Sequence, residues 1–229
     1  MTEDMQFRIR ALEKTIREAA LRAGRSPETV RYILVSKTVP EERILEAFKA
    51  GVREFGENRV QELVEKKRRM PTELKWHMIG HLQTNKVKQA AGEAELIHSL
   101  DRLELAREMD RQAGLKKILQ VPCLIQVNSS GEKTKSGLEP SEVPDFIEQV
   151  LGLRIRLRGL MTIGPRTENE NGIRKAFRVT AELFRKLAGK FLPEEWNILS
   201  MGMSSDYRIA IEEGANFLRI GSAVFGERS

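Results

Sequence analysis

Lys37 ends the apolar run of YILVSKTVP (32–40), where an ammonium group needs a partner or a reason to shed its charge. A lysine amine kept neutral by partial burial and a neighbouring cation attacks aldehydes and forms a Schiff base. The chain holds a second cation in a similar context, because Arg219 interrupts the apolar stretch NFLRIG and alternates with Phe217 and Gly221. Two further segments suit an anion. MGMSSDYRIAI, from Met201, sets a glycine turn and the adjacent hydroxyls of Ser204 and Ser205 ahead of a helical pattern, and RIGSAVFG, from Arg219, offers Gly221 and Ser222 for close backbone approach. Each piece has an ordinary structural use by itself: Lys37 turned into solvent, Ser204 or Ser205 as a helix N-cap.

A repeated strand–helix pattern would bring these residues together. After an opening helix over about 3–23, short apolar runs alternate with amphipathic helical stretches eight times, without a linker or low-complexity segment. The predicted strands cover 32–36, 54–55 with their neighbours, 76–79, 96–99, 119–127, 157–161, 197–200 and 217–220. Eight alternations in 229 residues point to a (β/α)8 TIM-type barrel with an extra N-terminal helix, a single domain over 1–229. A doubly wound open sheet is the alternative, weakened because Lys37-Thr38-Val39-Pro40 stands where a Gly-x-Gly-x-x-Gly turn belongs. Strand parity puts Lys37 on the face of Val35 and Ile33, and barrel closure sets the eighth strand beside the first. Lys37 and Arg219 then share the C-terminal rim, where barrel enzymes keep their active sites, and the serines lie on the loops that hold phosphate in many barrels. A phosphorylated aldehyde whose ring can meet an arginine is pyridoxal 5′-phosphate, PLP.

Composition narrows the setting. With 40% apolar and 31% charged side chains the chain can bury a large core. No run approaches the roughly 20 apolar residues of a membrane span. Residues 1–10 carry four charges where a secretory signal would be apolar, so a cytosolic protein is expected. Cys123, the single cysteine, can form no internal disulfide and reads as a buried thiol. The net charge of +6 would suit nucleic acid, an anionic membrane or a phosphorylated small molecule. The densest basic run, 66–69, follows Glu62 and Glu65 at helical spacing and reads as a solvated helix face, with no nucleic-acid-binding motif beside it. His77, His81 and His98 are the three histidines, with no cysteine or carboxylate cluster to complete a metal set, and His77 is expected as a hydrogen-bonded core imidazole. GEKTKSG (131–137) has the composition of a nucleotide-phosphate loop without its Gly-Lys-Ser/Thr ending; Lys133 and Lys135 there either contact an acidic ligand or face solvent.

LVSKTVP, FGENRVQE, WHMIGHLQTNK, IHSLDR, QVNSSGEKTKSG, RGLMTIG and LSMGMSSDYRIAIEEGANFLRIGSAVFGER follow one another over about 5–228. In that order they resemble the pyridoxal phosphate homeostasis protein family, whose barrel is similar to the N-terminal domain of alanine racemase. The resemblance implies PLP held as a Schiff base on Lys37, Arg219 at the pyridine nitrogen, and phosphate held by Ser204, Ser205 and the Gly221-Ser222 turn. Asn58 in GENR and His81 in IGHLQ, on loops after strands two and three, are implied to line the cleft. Members of the family keep PLP and amino- or keto-acid pools in balance without an established reaction. The implied role is a reversible PLP carrier or buffer, not an enzyme, with apo PLP-dependent enzymes as candidate recipients.

The residues supply reasons of their own. A permanently protonated arginine at the ring nitrogen disfavours ring protonation and weakens the electron withdrawal on which PLP catalysis draws. Alanine racemase has a similar arginine and is active, so a weakly active racemase or related PLP enzyme stays as the alternative. Two-base racemisation also needs a proton donor opposite the lysine, which the racemase takes from a tyrosine of a second domain. The chain as read stops at Ser229, and its two tyrosines are poorly placed: Tyr32 at the far end of strand one with the opposite parity, Tyr207 at the start of the helix after the phosphate loop.

Overall fold

In the computed structural model, which describes residues 2–132, 135–189 and 195–226, the eight apolar runs become eight strands. They are β1 (Arg31–Val35), β2 (Glu54–Glu57), β3 (Lys75–Met78), β4 (Leu96–Leu100), β5 (Val121–Val127), β6 (Ile155–Thr162), β7 (Ile198–Ser200) and β8 (Phe217–Ile220). Every strand is parallel to its neighbours, and β1 pairs with β8 as well as β2, so the sheet closes into a barrel. The doubly wound alternative is therefore set aside. Most strand ends fall within a residue or two of the predicted ones; β5 starts later than expected because Leu119 stands in solvent.

The opening helix α1 (Thr2–Arg22) buries Met5, Ile9, Leu12, Ile16, Ala19 and Ala20, a stripe at alternating steps of mostly three and four residues. It packs against α2 (Glu41–Lys49) and the two short helices that follow β7 and β8, Tyr207–Glu212 and Ser222–Phe225. The junction of first and last strands is thereby reinforced from outside. Arg25, just beyond α1, adds hydrogen bonds from Nη1 to the carbonyls of Ile211 and Ala215 at 2.8 and 2.7 Å. Among the described residues no helix is long and apolar enough to cross a membrane.

Apolar side chains form two layers. The larger lies between strands and helices, and a smaller cluster of Ile33, Leu96, Leu124, Met161, Ile198 and Phe217 fills the lumen. The alternation is broken in two places, in β4 between Ile97 and Leu100 and in β6 opposite β5. β5 and β6 pair Cys123 with Leu157 but Leu124 with Gly159, which makes Arg158 the extra residue of a bulge. Leu157 consequently packs outward while Met161, four residues on, points into the lumen. Gly159 adopts φ 141°, and a Cβ there would lie 1.9 Å from the carbonyl oxygen of Ile198.

Gly159→Ala is expected to lower the unfolding free energy by about 3 kcal/mol, through backbone strain and displacement of β7. Gly152→Ala, at φ 88° but in open space, should cost only about 1 kcal/mol. Denaturant unfolding of the two variants beside the parent checks both.

Candidate active-site cavity

A cavity of about 270 Å³ opens at the C-terminal end of the barrel, and Lys37 and Arg219 both line it. The parity and closure arguments are met: Lys37 follows β1, Arg219 lies within β8, and Ile33 pairs with Arg219 across the seam. Asn58 after β2 and His81 after β3 line the same cavity, with Ile79 and Gly80. His81 is half exposed, its Nδ1 3.6 Å from Asp101 Oδ2. From the opposite side Gln126 and Asn128 face in, neither of which the motifs had singled out. Lys135 joins them as part of the wall: its Nζ donates to Glu132 Oε1 at 2.7 Å and to the Gly164 carbonyl at 2.9 Å. Lys133 lies outside the described residues.

Arg219 is buried, and its guanidinium is held from below. Nη1 donates to Ser200 Oγ at 2.7 Å and Nη2 to the Thr162 carbonyl at 2.8 Å. Burial pulls its pKa down to about 10, against the opposing pull of the Asp206 carboxylate, so the group stays charged at neutral pH. Asp206 in turn has its pKa raised by burial, countered by the Met203 N–H and by Arg219.

The loops after β7 and β8 meet at Ser204. Its Oγ accepts hydrogen bonds from the backbone N–H groups of Gly221 at 3.1 Å and Ala223 at 3.2 Å. Ser204 is not a helix N-cap; Asp206 precedes the helix, and its Oδ1 accepts from Met203 N at 2.6 Å. Gly202 makes the turn at φ 94°, where a Cβ would sit 2.6 Å from that of Ala210. Ser205 and Ser222 are exposed; none of Ser204, Ser205, Gly221 and Ser222 lines the cavity, to which the loop after β7 contributes Met203. The turn that aims Ser204 at the β8 loop aims its neighbour outward.

Residues absent from the sequence-based site lie behind Lys37. Lys66, on α3 (Val60–Arg69), was expected on a solvated face but is only 6% exposed. Its Nζ donates to the Ser36 carbonyl at 2.7 Å, Glu57 Oε1 at 2.9 Å and Glu62 Oε1 at 2.7 Å. Ser36 Oγ donates to the same Glu57 oxygen, and Glu62 accepts from the N–H of Thr38, which sits at φ 62°. Both residues flanking Lys37 are therefore clamped by one buried ion cluster. Burial raises the Glu57 carboxyl, and the hydrogen bonds from Ser36 and Lys66 oppose that rise. A signal existed: Glu57 has the outward parity of Phe55, so the helix covering β2 had to supply a cation.

Comparison with known proteins bears on what this cavity holds. A family model described as the alanine racemase N-terminal domain matches residues 8–229. A pyridoxal phosphate homeostasis protein of Aquifex aeolicus is 45% identical over 225 residues, covering 96% of each chain. The chain belongs to the pyridoxal phosphate homeostasis protein family. PipY of Synechococcus elongatus, solved with PLP bound, superposes with a TM-score of 0.77 at 33% identity, covering 97% of this chain and all of that one. An alanine racemase of Clostridium difficile matches with a TM-score of 0.75 at 17% identity over 99% of this chain and 56% of its own, a likeness of fold.

Removing one member of a buried ion cluster leaves the other without compensation, at about 3–5 kcal/mol. Lys66→Met should lower stability by about that much, and adding Glu57→Gln should recover part of the loss. Unfolding of the two single variants and the double variant in denaturant measures the coupling.

Proposed function

We propose that this barrel, one domain over 1–229, binds PLP in the cavity and acts as a cytoplasmic carrier or buffer of it. The observation that carries the reading is the meeting of Lys37 and Arg219 in one cavity beside the Ser204 cradle. An amine, a buried guanidinium and two convergent backbone N–H groups match an aldehyde, a pyridine nitrogen and a phosphate. The volume of about 270 Å³ is close to the lower end of the roughly 300–1,000 Å³ usual for small-molecule sites, which suits a one-ring ligand.

PLP bound here supplies an aldehyde that condenses reversibly with amines. Lys37 offers the amine, in a position set by the Ser36 and Thr38 clamps. Arg219 presents a fixed positive charge, which disfavours a proton on the ring nitrogen. Gly221 and Ala223 donate their N–H groups to Ser204 Oγ, the acceptor a phosphate would replace, while Asn58 and His81 bound the side of the cavity. The bound forms and names of the relatives support binding without turnover. So does the placing of the tyrosines: Tyr32 hydrogen-bonds Glu13 at 2.8 Å, with its phenol pKa pushed up by burial and that carboxylate, and Tyr207 is buried in its helix. Neither lines the cavity. Release is a requirement of the role, and free amino acids or an apo PLP-dependent enzyme would take up the aldehyde in exchange.

Purified protein mixed with PLP should show a visible band that Lys37→Ala lacks, and borohydride treatment followed by peptide mapping should find the phosphopyridoxyl group on Lys37. Label scattered over surface lysines would refute the assignment. Transfer to an apo-enzyme faster than spontaneous release into solution is the outcome expected of a carrier, and solvent deuterium uptake at an amino-acid α-carbon above the rate with free PLP would favour an enzyme instead.

A further inference from the structure

Behind Arg219 a line of polar side chains runs down the lumen. Ser200 Oγ, which accepts from Arg219 Nη1 at 2.7 Å, lies 3.2 Å from His98 Nδ1. His98 Nε2 lies 3.2 Å from His77 Nδ1, and His77 Nε2, which makes no hydrogen bond in this geometry, faces Glu54 Oε2 at 3.5 Å at the opposite end of the barrel. Glu54 is in turn bound by Arg31 at 2.8 Å. The five residues come from β8, β7, β4, β3 and β2, each at an inward-facing position, and the interior around them is otherwise aliphatic or phenyl.

The donors in this line have only one consistent direction with both imidazoles neutral. An arginine donates and never accepts, so Ser200 Oγ is an acceptor there, with its hydrogen and a second lone pair both open to His98 Nδ1, and the carboxylate facing His77 Nε2 at the far end selects the hydrogen. His98 then carries its proton on Nε2 and gives it to His77 Nδ1. His77 carries its own on Nε2, toward the Glu54 carboxylate. The reverse direction would turn an unprotonated Nε2 toward a carboxylate or require a charged imidazole in the lumen. Burial drives the His98 pKa far below the usual imidazole value, with His77 and Arg219 adding to the effect. At Glu54, burial pushes the carboxyl up, but the facing His77 ring and the charge and hydrogen bond of Arg31 outweigh it and hold the pKa at about 2. The rings are also wedged: His77 and His98 meet edge-on with centroids 5.4 Å apart, and each packs against Phe217, at 5.4 and 5.6 Å.

Two imidazoles in an aliphatic lumen are costly to bury unless they satisfy something. What they satisfy is Arg219. We propose that Ser200, His98, His77 and Glu54 are positioning residues for Arg219, a single-file chain of donors that starts at the guanidinium and ends at a carboxylate on the barrel floor, fixing the guanidinium's place in the cavity. Aligned hydrogen bonds polarise one another in a low-dielectric interior, so the Glu54 charge reinforces the acceptor that Ser200 presents. The inference rests on the PLP reading for what Arg219 meets, while the chain itself is testable without PLP.

The experiment has two arms. In PLP-free protein labelled with 15N-histidine, two-bond 1H–15N spectra should assign the Nε2-protonated neutral form to both His77 and His98, and Ser200→Ala should disturb the His98 signals. In protein loaded with PLP, Ser200→Ala should shift the pyridine 15N resonance and speed PLP release by about tenfold, as expected for a lost hydrogen bond to a charged group. Ser200→Thr, which keeps the hydroxyl, should restore both. Thermal unfolding of the PLP-free variants separates these effects from a general loss of fold. An Nδ1-protonated or charged His98, or a Ser200→Ala protein with unchanged resonance and release, would overturn the chain. Wild-type protein that takes up no PLP would overturn the reading of the cavity instead, and the tautomer spectra would still decide the chain.

Discussion

Parallel hydrogen bonds between β1 and β8, pairing Arg31 with Phe217 through to Leu34 with Ile220, join segments from opposite ends of the chain. Without that seam Lys37 and Arg219 belong to unrelated loops, and no cavity has both in its wall. The seam is narrow: β7 meets β8 at the single pair Ser200 and Phe217, and β1 is only five residues long. α1, laid over the neighbouring helices, and Arg25, tied to Ile211 and Ala215, hold its outer side. An amphipathic N-terminal helix thus supports the cavity although it contributes no residue to it.

Two cations are buried near the cavity, one on each face of the barrel wall, and both are handled alike. Lys66 sits outside the sheet, with three oxygens around its ammonium group, and steadies the turn that carries Lys37. Arg219 sits inside, with a hydroxyl and a carbonyl below it and Asp206 as its nearest opposing charge. In each case fixed oxygens supply what water would, so the charge persists in a setting that disfavours it. Lys37 is placed by neighbours that are themselves held, Ser36 by Lys66 and Thr38 by Glu62.

Much of this was legible in the sequence because strands and helices leave periodic traces. The run 217–220 was read to the residue, and alternation alone set Lys37 with Ile33 and Arg219 with Phe217. Ser204 and Gly221, singled out because glycine and hydroxyl residues cluster at turns that approach anions, do meet, in a hydrogen bond between the loops after β7 and β8. Lys66 was misread because a helix-spaced Glu-Lys pair looks the same on a solvated face as over a buried Glu57. Ser205 and Ser222 are exposed, which adjacency in sequence does not reveal, because it does not record which way a turn aims each side chain. The bulge at Gly159 and the contacts joining His77, His98 and Ser200 depend on registers between strands, which no single strand records.

The Ser204 hydroxyl gives the junction of the loops after β7 and β8 a hydrogen-bond arrangement complete in itself. Its oxygen satisfies the N–H groups of Gly221 and Ala223 from within the protein, so those donors are never stranded. On the proposed reading, a phosphate entering there would exchange one acceptor for another at the Gly221 and Ala223 N–H groups, and its departure would hand those donors back to Ser204, with no new turn of the backbone required.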